Sequence, residues 1–209
     1  MARTRIGIFG GCFDPIHMGH LILADYARES AALDRVVFIP AATSPLKPAG
    51  TVATNRQRLE MVSLAIGGNP NFDVDDFELQ RDGISYTVDT LDEFSRRFPD
   101  AELFLIMGAD SLEQFAKWKN PRQICELATL LVGARYGSEV DLDLLVSFAS
   151  EDRMKAIRSA AFEFPRIEIS STGLRNRIGS RKSIRYRTPR SVEAYIENAK
   201  LYQQVAAST

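Results

Sequence analysis

Histidine and cysteine are scarce in this chain, with two of each among 209 residues, and tryptophan occurs once. The cysteines, Cys12 and Cys125, stand far apart and show neither metal nor redox spacing, which suits a reducing cytoplasm. Neither sign of charge is in excess: 26 Lys+Arg against 27 Asp+Glu leave a net charge of -1, so no broad positive field exists for general nucleic-acid binding. Long apolar runs are missing as well. None reaches the length of a membrane span, and the basic start Met1 to Arg5 is followed by an apolar stretch that stops at Gly10-Gly11, too short for a secretory signal. The expectation is a cytoplasmic protein with no nucleic-acid and no membrane partner; a homo-oligomer is left open.

What is present is a chain with 45% hydrophobic residues, enough at this length for one full core. Strand-like runs at 5–9, 35–39, 72–79, 102–107, 129–134 and 166–170 alternate with helical patterns, one of them Thr54 to Ile66 behind a Thr54…Gln57 capping box. That alternation predicts an α/β fold with a doubly wound, largely parallel sheet. Asp141 to Phe162 reads as a helix packed on an edge. Thr188-Pro189 through Tyr202 reads as a final helix with Pro in its first position, closing the domain beside the helix of Arg175. The expected organisation is a single domain, 1–209, with an α/β core over 1–171 and a small C-terminal helical part over 172–209.

Both imidazoles fall in one run, Gly10-Gly11-Cys12-Phe13-Asp14-Pro15-Ile16-His17-Met18-Gly19-His20. Before it, Arg5-Ile6-Gly7-Ile8-Phe9 reads as a buried strand; after it, Leu21 to Ala27 is rich in helix formers, with Ile22 and Tyr26 on one face. A strand-turn-helix unit places unpaired helical N–H groups beside a glycine turn, which makes an anion site. His17 and His20, three apart, can both donate to one polyphosphate. Gly19 leaves room there for a ligand. Zinc is disfavoured, since only Asp14 stands near to complete a ligand set.

A second helix start follows Arg166 to Ile169. Ser170, Ser171 and Thr172 occupy its N-cap region and Arg175 projects from the first turn, offering N–H groups, hydroxyls and a guanidinium to phosphate. Taken alone it reads as an ordinary capped helix; paired with the helix start at His17 to His20, it reads as a phosphate site. Thr87 precedes a helix with Val88, Leu91, Phe94 and Phe98 on its apolar face, and its N-terminus suits a carboxylate. Trp118, between lysines and ahead of Pro121, reads as a loop residue able to stack on an aromatic heterocycle. Asp110 follows the strand Leu103 to Met107, either as a helix N-cap or as an acceptor for ribose hydroxyls.

The run from Gly10 to His20 resembles the G-x-F-D-P-x-H-x-G-H signature of the nucleotidyltransferase superfamily, whose members transfer a nucleotidyl group from a nucleoside triphosphate to a phosphate and release pyrophosphate. Ile169 to Arg175 resembles the I-S-S-T-x-I-R motif of its pyridine-mononucleotide adenylyltransferases. Ser85 to Leu91, Gly108 to Leu112, Trp118 and the tail from Tyr186 to Tyr202 are similar to the bacterial nicotinate mononucleotide branch. The resemblance implies a Rossmann-like fold, transfer of AMP from ATP to nicotinate mononucleotide to give deamido-NAD, and a place in NAD biosynthesis. It implies catalytic roles for His17, His20 and Arg175. ATP would meet Gly10, Gly11, Cys12, Phe13, Gly19, Lys47, Gly108, Asp110, Ser170, Ser171 and Thr172 as well. Ser85, Tyr86 and Thr87 would hold the pyridine carboxylate and Trp118 would stack on the ring. Mg²⁺ would be bound through phosphate oxygens, with no protein metal ligands. Two positions depart from the pattern: Cys12 replaces a usual Thr or Ser, and Leu46 replaces a His that commonly precedes the lysine. Other enzymes share the opening motif, among them phosphopantetheine adenylyltransferase and the class I aminoacyl-tRNA synthetases; Ser85 to Leu91, Trp118 and Thr172 to Arg175 disfavour the first, and the short chain the second. A nucleotide-binding sensor without catalysis would be expected to have lost His17, His20 or Arg175, and all three are present.

Overall fold

A computed structural model describes residues 3–45, 50–81 and 83–203. Its centre is a six-stranded, wholly parallel sheet in the order β3-β2-β1-β4-β5-β6. The strands are β1 (Arg5–Gly11), β2 (Arg35–Pro40), β3 (Phe72–Val74), β4 (Glu102–Gly108), β5 (Thr129–Arg135) and β6 (Phe162–Phe164). Near-continuous apolar runs form the central strands because successive side chains enter two different cores. In β4, Leu103, Leu105 and Met107 join one core while Phe104 and Ile106 join the other. In β2, Val37 and Ile39 alternate in the same way with Val36 and Phe38.

Helices cover both faces. α1 (Met18–Ser30) and α2 (Asn55–Ile66) share one core with the later α7 (Ser171–Gly179) and α8 (Arg190–Asn198). α3 (Thr87–Arg97), α5 (Pro121–Leu127) and α6 (Glu151–Ala160) fill the other, and a single turn, α4 (Ala109–Leu112), follows β4. The capping box expected at α2 is present, with Gln57 N–H donating to Thr54 Oγ1 and Thr54 N–H to Gln57 Oε1. Pro121 opens α5 as its first residue. Because the order reverses between β1 and β4, a crevice opens at their C-terminal ends, where sheets of this kind bind ligands.

Several boundaries differ from the sequence reading. The run 72–79 yields a strand only to Val74; Asp75 then accepts from Phe77 N–H and turns the chain away from the sheet. The sixth strand is Phe162–Phe164, ahead of the expected 166–170. It pairs with Gly133 to Arg135, and Pro165, which lacks an N–H, follows it directly. Asp141 to Phe162 is therefore not one helix but a 3₁₀ turn over Leu142–Leu145, then α6, then strand. In α1 the buried face is Leu23, Ala24 and Ala27, with Tyr26 packed beside it and Ile22 only half-buried. Pro189 is the N-cap of α8 rather than its first residue. That helix stops at Asn198, and it packs chiefly on α2, where Ser191 donates to the Leu64 carbonyl and Tyr195 to Glu60, rather than beside the helix of Arg175. Lys200 and Tyr202 follow in left-handed conformations (φ 52° and 61°).

Candidate active site

β1 ends at Gly11 and the chain crosses the mouth of the crevice to α1, whose N-cap is His17. This crossing loop is fixed from below. Asp14 is buried, and its carboxylate accepts from Val52 N–H (2.8 Å), Ala53 N–H (3.1 Å) and the Tyr202 hydroxyl (2.7 Å). Arg58 is fully buried beneath it and donates to the Cys12 carbonyl (2.7 Å) and to Asn55 Oδ1 (2.7 Å). Burial pulls the Arg58 guanidinium below its ordinary range, and the neighbouring Cys12, Asp14, Tyr202 and Glu78 oppose that pull.

The two imidazoles stack face to face, with ring centroids 3.6 Å apart and planes 19° from parallel. His17 N–H donates to His20 Nδ1 (3.2 Å), so that nitrogen carries no proton and a neutral His20 bears its proton on Nε2. His17 is buried, its Nδ1 has no protein partner, and desolvation pushes its pKa down from 6.5 to about 4. Gly19 favours this arrangement: a Cβ there would stand 3.1 Å from His17 Nδ1 and 3.2 Å from Cε1, close enough to press on the ring. The room that Gly19 leaves is thus taken up by the His17 ring. At Gly11 a Cβ would meet the Phe13 ring at 2.9 Å.

From the far end of the sequence, α7 closes the same loop. Ser170 caps the helix, accepting from Gly173 N–H (3.1 Å), and the Ser171 hydroxyl donates to the Pro15 carbonyl (2.9 Å). Arg175 is the fifth residue of α7 and opens its second turn rather than projecting from the first. Its guanidinium donates to the Asp14 carbonyl (2.7 Å) and to Thr172 Oγ1 (3.2 Å).

Two cavities flank β1. The larger, about 690 Å³, is lined by Gly10, Gly11, Cys12, Phe13, His17, Gly19, His20, Gly108, Asp110, Ser170, Ser171, Thr172 and Arg175, which are all the described residues expected to meet ATP. Lys47, and Leu46 before it, lie outside the described residues. Asp110 sits within α4 rather than capping it, for Gly108 is the N-cap, and its exposed carboxylate pairs with Arg135 (3.1 Å). The smaller cavity, about 270 Å³, is lined by Ser85, Tyr86, Thr87 and Trp118, all four residues expected at the pyridine. Thr87 is the first residue of α3 and Tyr86 its N-cap. Trp118 packs on Phe115 (5.4 Å) and its buried Nε1 has no protein partner. Gly10, Gly11, Cys12, Gly108 and Ser111 line both cavities. Two ligands would therefore meet end to end over the first glycine turn.

Sequence reasoning missed the supports. The signature contains Asp14 and the family-like tail ends at Tyr202, but neither shows in sequence that the two meet, and Arg58 carries no local signal, since each acts through burial against residues far away in the chain. Glu78, buried against the smaller cavity, was hidden inside the overlong third strand.

An open parallel sheet with two stacked imidazoles at its first glycine turn defines a nucleotide-handling α/β protein, and a cytidylyltransferase-like family model matches residues 8–177. The chain is 47% identical to a probable nicotinate-nucleotide adenylyltransferase of Rhodopirellula baltica over 95% of its own length and 93% of the relative's. It is 41% identical to a protein of the same name from Thermomicrobium roseum, covering 98% and 94% of the two chains. The chain belongs to the cytidylyltransferase-like family and, within it, to the nicotinate-nucleotide adenylyltransferases. The fold also matches the Plasmodium falciparum nicotinic acid mononucleotide adenylyltransferase complexed with NaAD, at a TM-score of 0.76 and 17% identity over 95% of this chain and 97% of that one.

Proposed function

We propose that this protein transfers AMP from ATP to nicotinate mononucleotide, giving deamido-NAD and pyrophosphate, as a single-domain cytoplasmic enzyme of NAD biosynthesis. The observation that carries the reading is the pair of cavities meeting over Gly10, Gly11 and Cys12, with His17, His20 and Arg175 on one side and Thr87 and Trp118 on the other.

In this reading ATP occupies the larger cavity and the pyridine nucleotide the smaller one. An oxygen of the acceptor 5′-phosphate attacks the α-phosphorus, forming a new P–O bond as the bond to the β-phosphate oxygen breaks and its electrons leave with pyrophosphate. The second pKa of a phosphate monoester is about 6, so the nucleophile is already a dianion near neutrality and needs no general base. Catalysis is alignment of two anions and stabilisation of the charge that grows on the α-phosphate and leaving group. His20 donates from Nε2. His17, neutral when the site is empty, donates from a buried position where a hydrogen bond to phosphate is poorly screened by water. Arg175, held by Asp14 and Thr172, faces the outer phosphates.

Among the described residues no group of three His, Cys, Asp or Glu is arranged to hold an ion. Mg²⁺ would enter with ATP, held by phosphate oxygens and water, and supply charge neutralisation on the outer phosphates. On the pyridine side, the first N–H groups of α3 suit the carboxylate, and the Trp118 indole offers a flat face to the ring. The test is pyrophosphate release with ATP and nicotinate mononucleotide, with nicotinamide mononucleotide and phosphopantetheine as alternative acceptors. Turnover should be greatest with nicotinate mononucleotide and fall at least 100-fold in a folded His20→Ala variant. Near-full turnover in that variant would reject the assignment.

A further inference from the structure

The wall of the smaller cavity contains a carboxyl group to which the proposed mechanism gives no task. Glu78 lies in the turn after β3 and is 8% exposed. The Thr90 hydroxyl, on α3, donates to its Oε1 at 2.5 Å, and Ser85 lines the same cavity wall. Ser85 has its own ties. Its Oγ accepts from Ala42 N–H (2.9 Å), and its own N–H donates to the Thr43 carbonyl (2.9 Å). Ala41 N–H in turn donates to the Gly11 carbonyl (2.9 Å), at the glycine turn that both cavities share.

These bonds tie Ser85, which immediately precedes Tyr86 and Thr87 at the start of α3, to the strand end after β2 and on to Gly11. Glu78, in the same cavity wall, grips α3 one turn further on, through the Thr90 hydroxyl. Charged groups stand close by: Lys119, in the wall of the same cavity, pairs with Asp89 (3.2 Å) and lies over the Tyr86 ring (4.4 Å), and Arg81 pairs with Asp89 (3.6 Å), with Arg81 and Asp89 acting in opposite senses on the Glu78 carboxyl.

We propose that Glu78 is a positioning residue for the pyridine subsite: by accepting from Thr90 it sets the N-terminus of α3 in the orientation that receives the carboxylate of the acceptor nucleotide. The proposal rests on the assignment of the smaller cavity to that nucleotide. Burial and the neighbouring hydroxyls act in opposite senses on this carboxyl, with burial the stronger and the net effect upward, so its hold on Thr90 is better tested by substitution than by pH.

The experiment compares Glu78→Ala, Glu78→Gln, Thr90→Val and the Glu78→Ala/Thr90→Val double variant in steady-state kinetics, with Trp118→Ala alongside. Glu78→Ala should raise the KM for nicotinate mononucleotide about tenfold, leaving kcat and the KM for ATP within about twofold, as expected when ground-state and transition-state binding are lost together. Glu78→Gln, whose amide oxygen still accepts, should recover most of the loss. The double variant should be no worse than Glu78→Ala, because both changes remove the same hydrogen bond. Equal rises in both KM values, or no recovery by glutamine, would overturn the proposal. So would an unchanged KM in Glu78→Ala while Trp118→Ala still raises it. If Trp118→Ala leaves the pyridine nucleotide KM unchanged too, the cavity assignment falls, and this inference falls with it.

Discussion

The acid limb of the stability curve should carry the signature of a single imidazole. His17 is 6% exposed, its Nδ1 is unpartnered, and its pKa is lowered from 6.5 to about 4, so the folded protein resists protonating it. Above pH 6.5 both folded and unfolded chains hold it neutral and it adds no pH dependence. Below pH 6.5 the unfolded chain binds a proton that the folded chain refuses, and stability falls by up to about 1.4 kcal/mol per pH unit until pH reaches about 4. Across the window the loss amounts to about 3 kcal/mol. His17→Gln retains a polar side chain without a titrating group, and His20, the only other imidazole, is common to both proteins. Urea unfolding at pH 4, 5, 6 and 7 should therefore show wild type losing about 3 kcal/mol relative to the variant between pH 7 and pH 4. Parallel curves within about 0.5 kcal/mol would refute the burial argument. A triphosphate beside His17 favours its charged form, so ATP binding near pH 5.5 should take up protons in wild type and fewer in His17→Gln, read from calorimetric enthalpies in buffers of different ionisation enthalpy.

Other consequences follow from the same contacts. Trp118→Ala should raise the KM for the pyridine nucleotide about tenfold and leave that for ATP nearly unchanged; the reverse pattern would reject stacking. Tyr202→Phe removes one hydrogen bond from the buried Asp14 carboxylate and should cost about 2 kcal/mol, lowering Tm by about 4–8 °C in a thermal melt. Arg175→Lys loses the fork that spans the Asp14 carbonyl and Thr172, and should raise the KM for ATP about tenfold without unfolding the chain, as circular dichroism would verify.

Elements whose partners lie nearby in the chain were legible. The α2 capping box, the Pro121 helix start and the Ser170 N-cap are contacts within three or four residues, so local spacing contains all the information needed. Motifs that preserve local geometry also bring the described residues expected at ATP and at the pyridine to the walls of two adjoining cavities. The edges of the sheet were not. Phe72 to Leu79 has the composition of a longer strand, but the β2 edge supports a ladder only to Val74, and beyond it Asp75 and Asp76 take over the backbone groups. Ile167 and Ile169 alternate with polar residues as a strand would, yet the pairing edge of β5 is already occupied by Phe162 to Phe164.

The sequence by itself determined the alternating α/β plan, the glycine turn with its two imidazoles, and the second capped helix carrying Arg175, because hydrophobic period and cap chemistry act over a few residues. Only the tertiary structure decided that Asp14, Arg58 and Tyr202 form one support beneath the loop, that the rings of His17 and His20 stack, and that Glu78 faces the second cavity. Those facts depend on which distant groups share buried space. Desolvation and hydrogen-bond satisfaction there are properties of the packed interior and leave no mark on the order of residues along the chain.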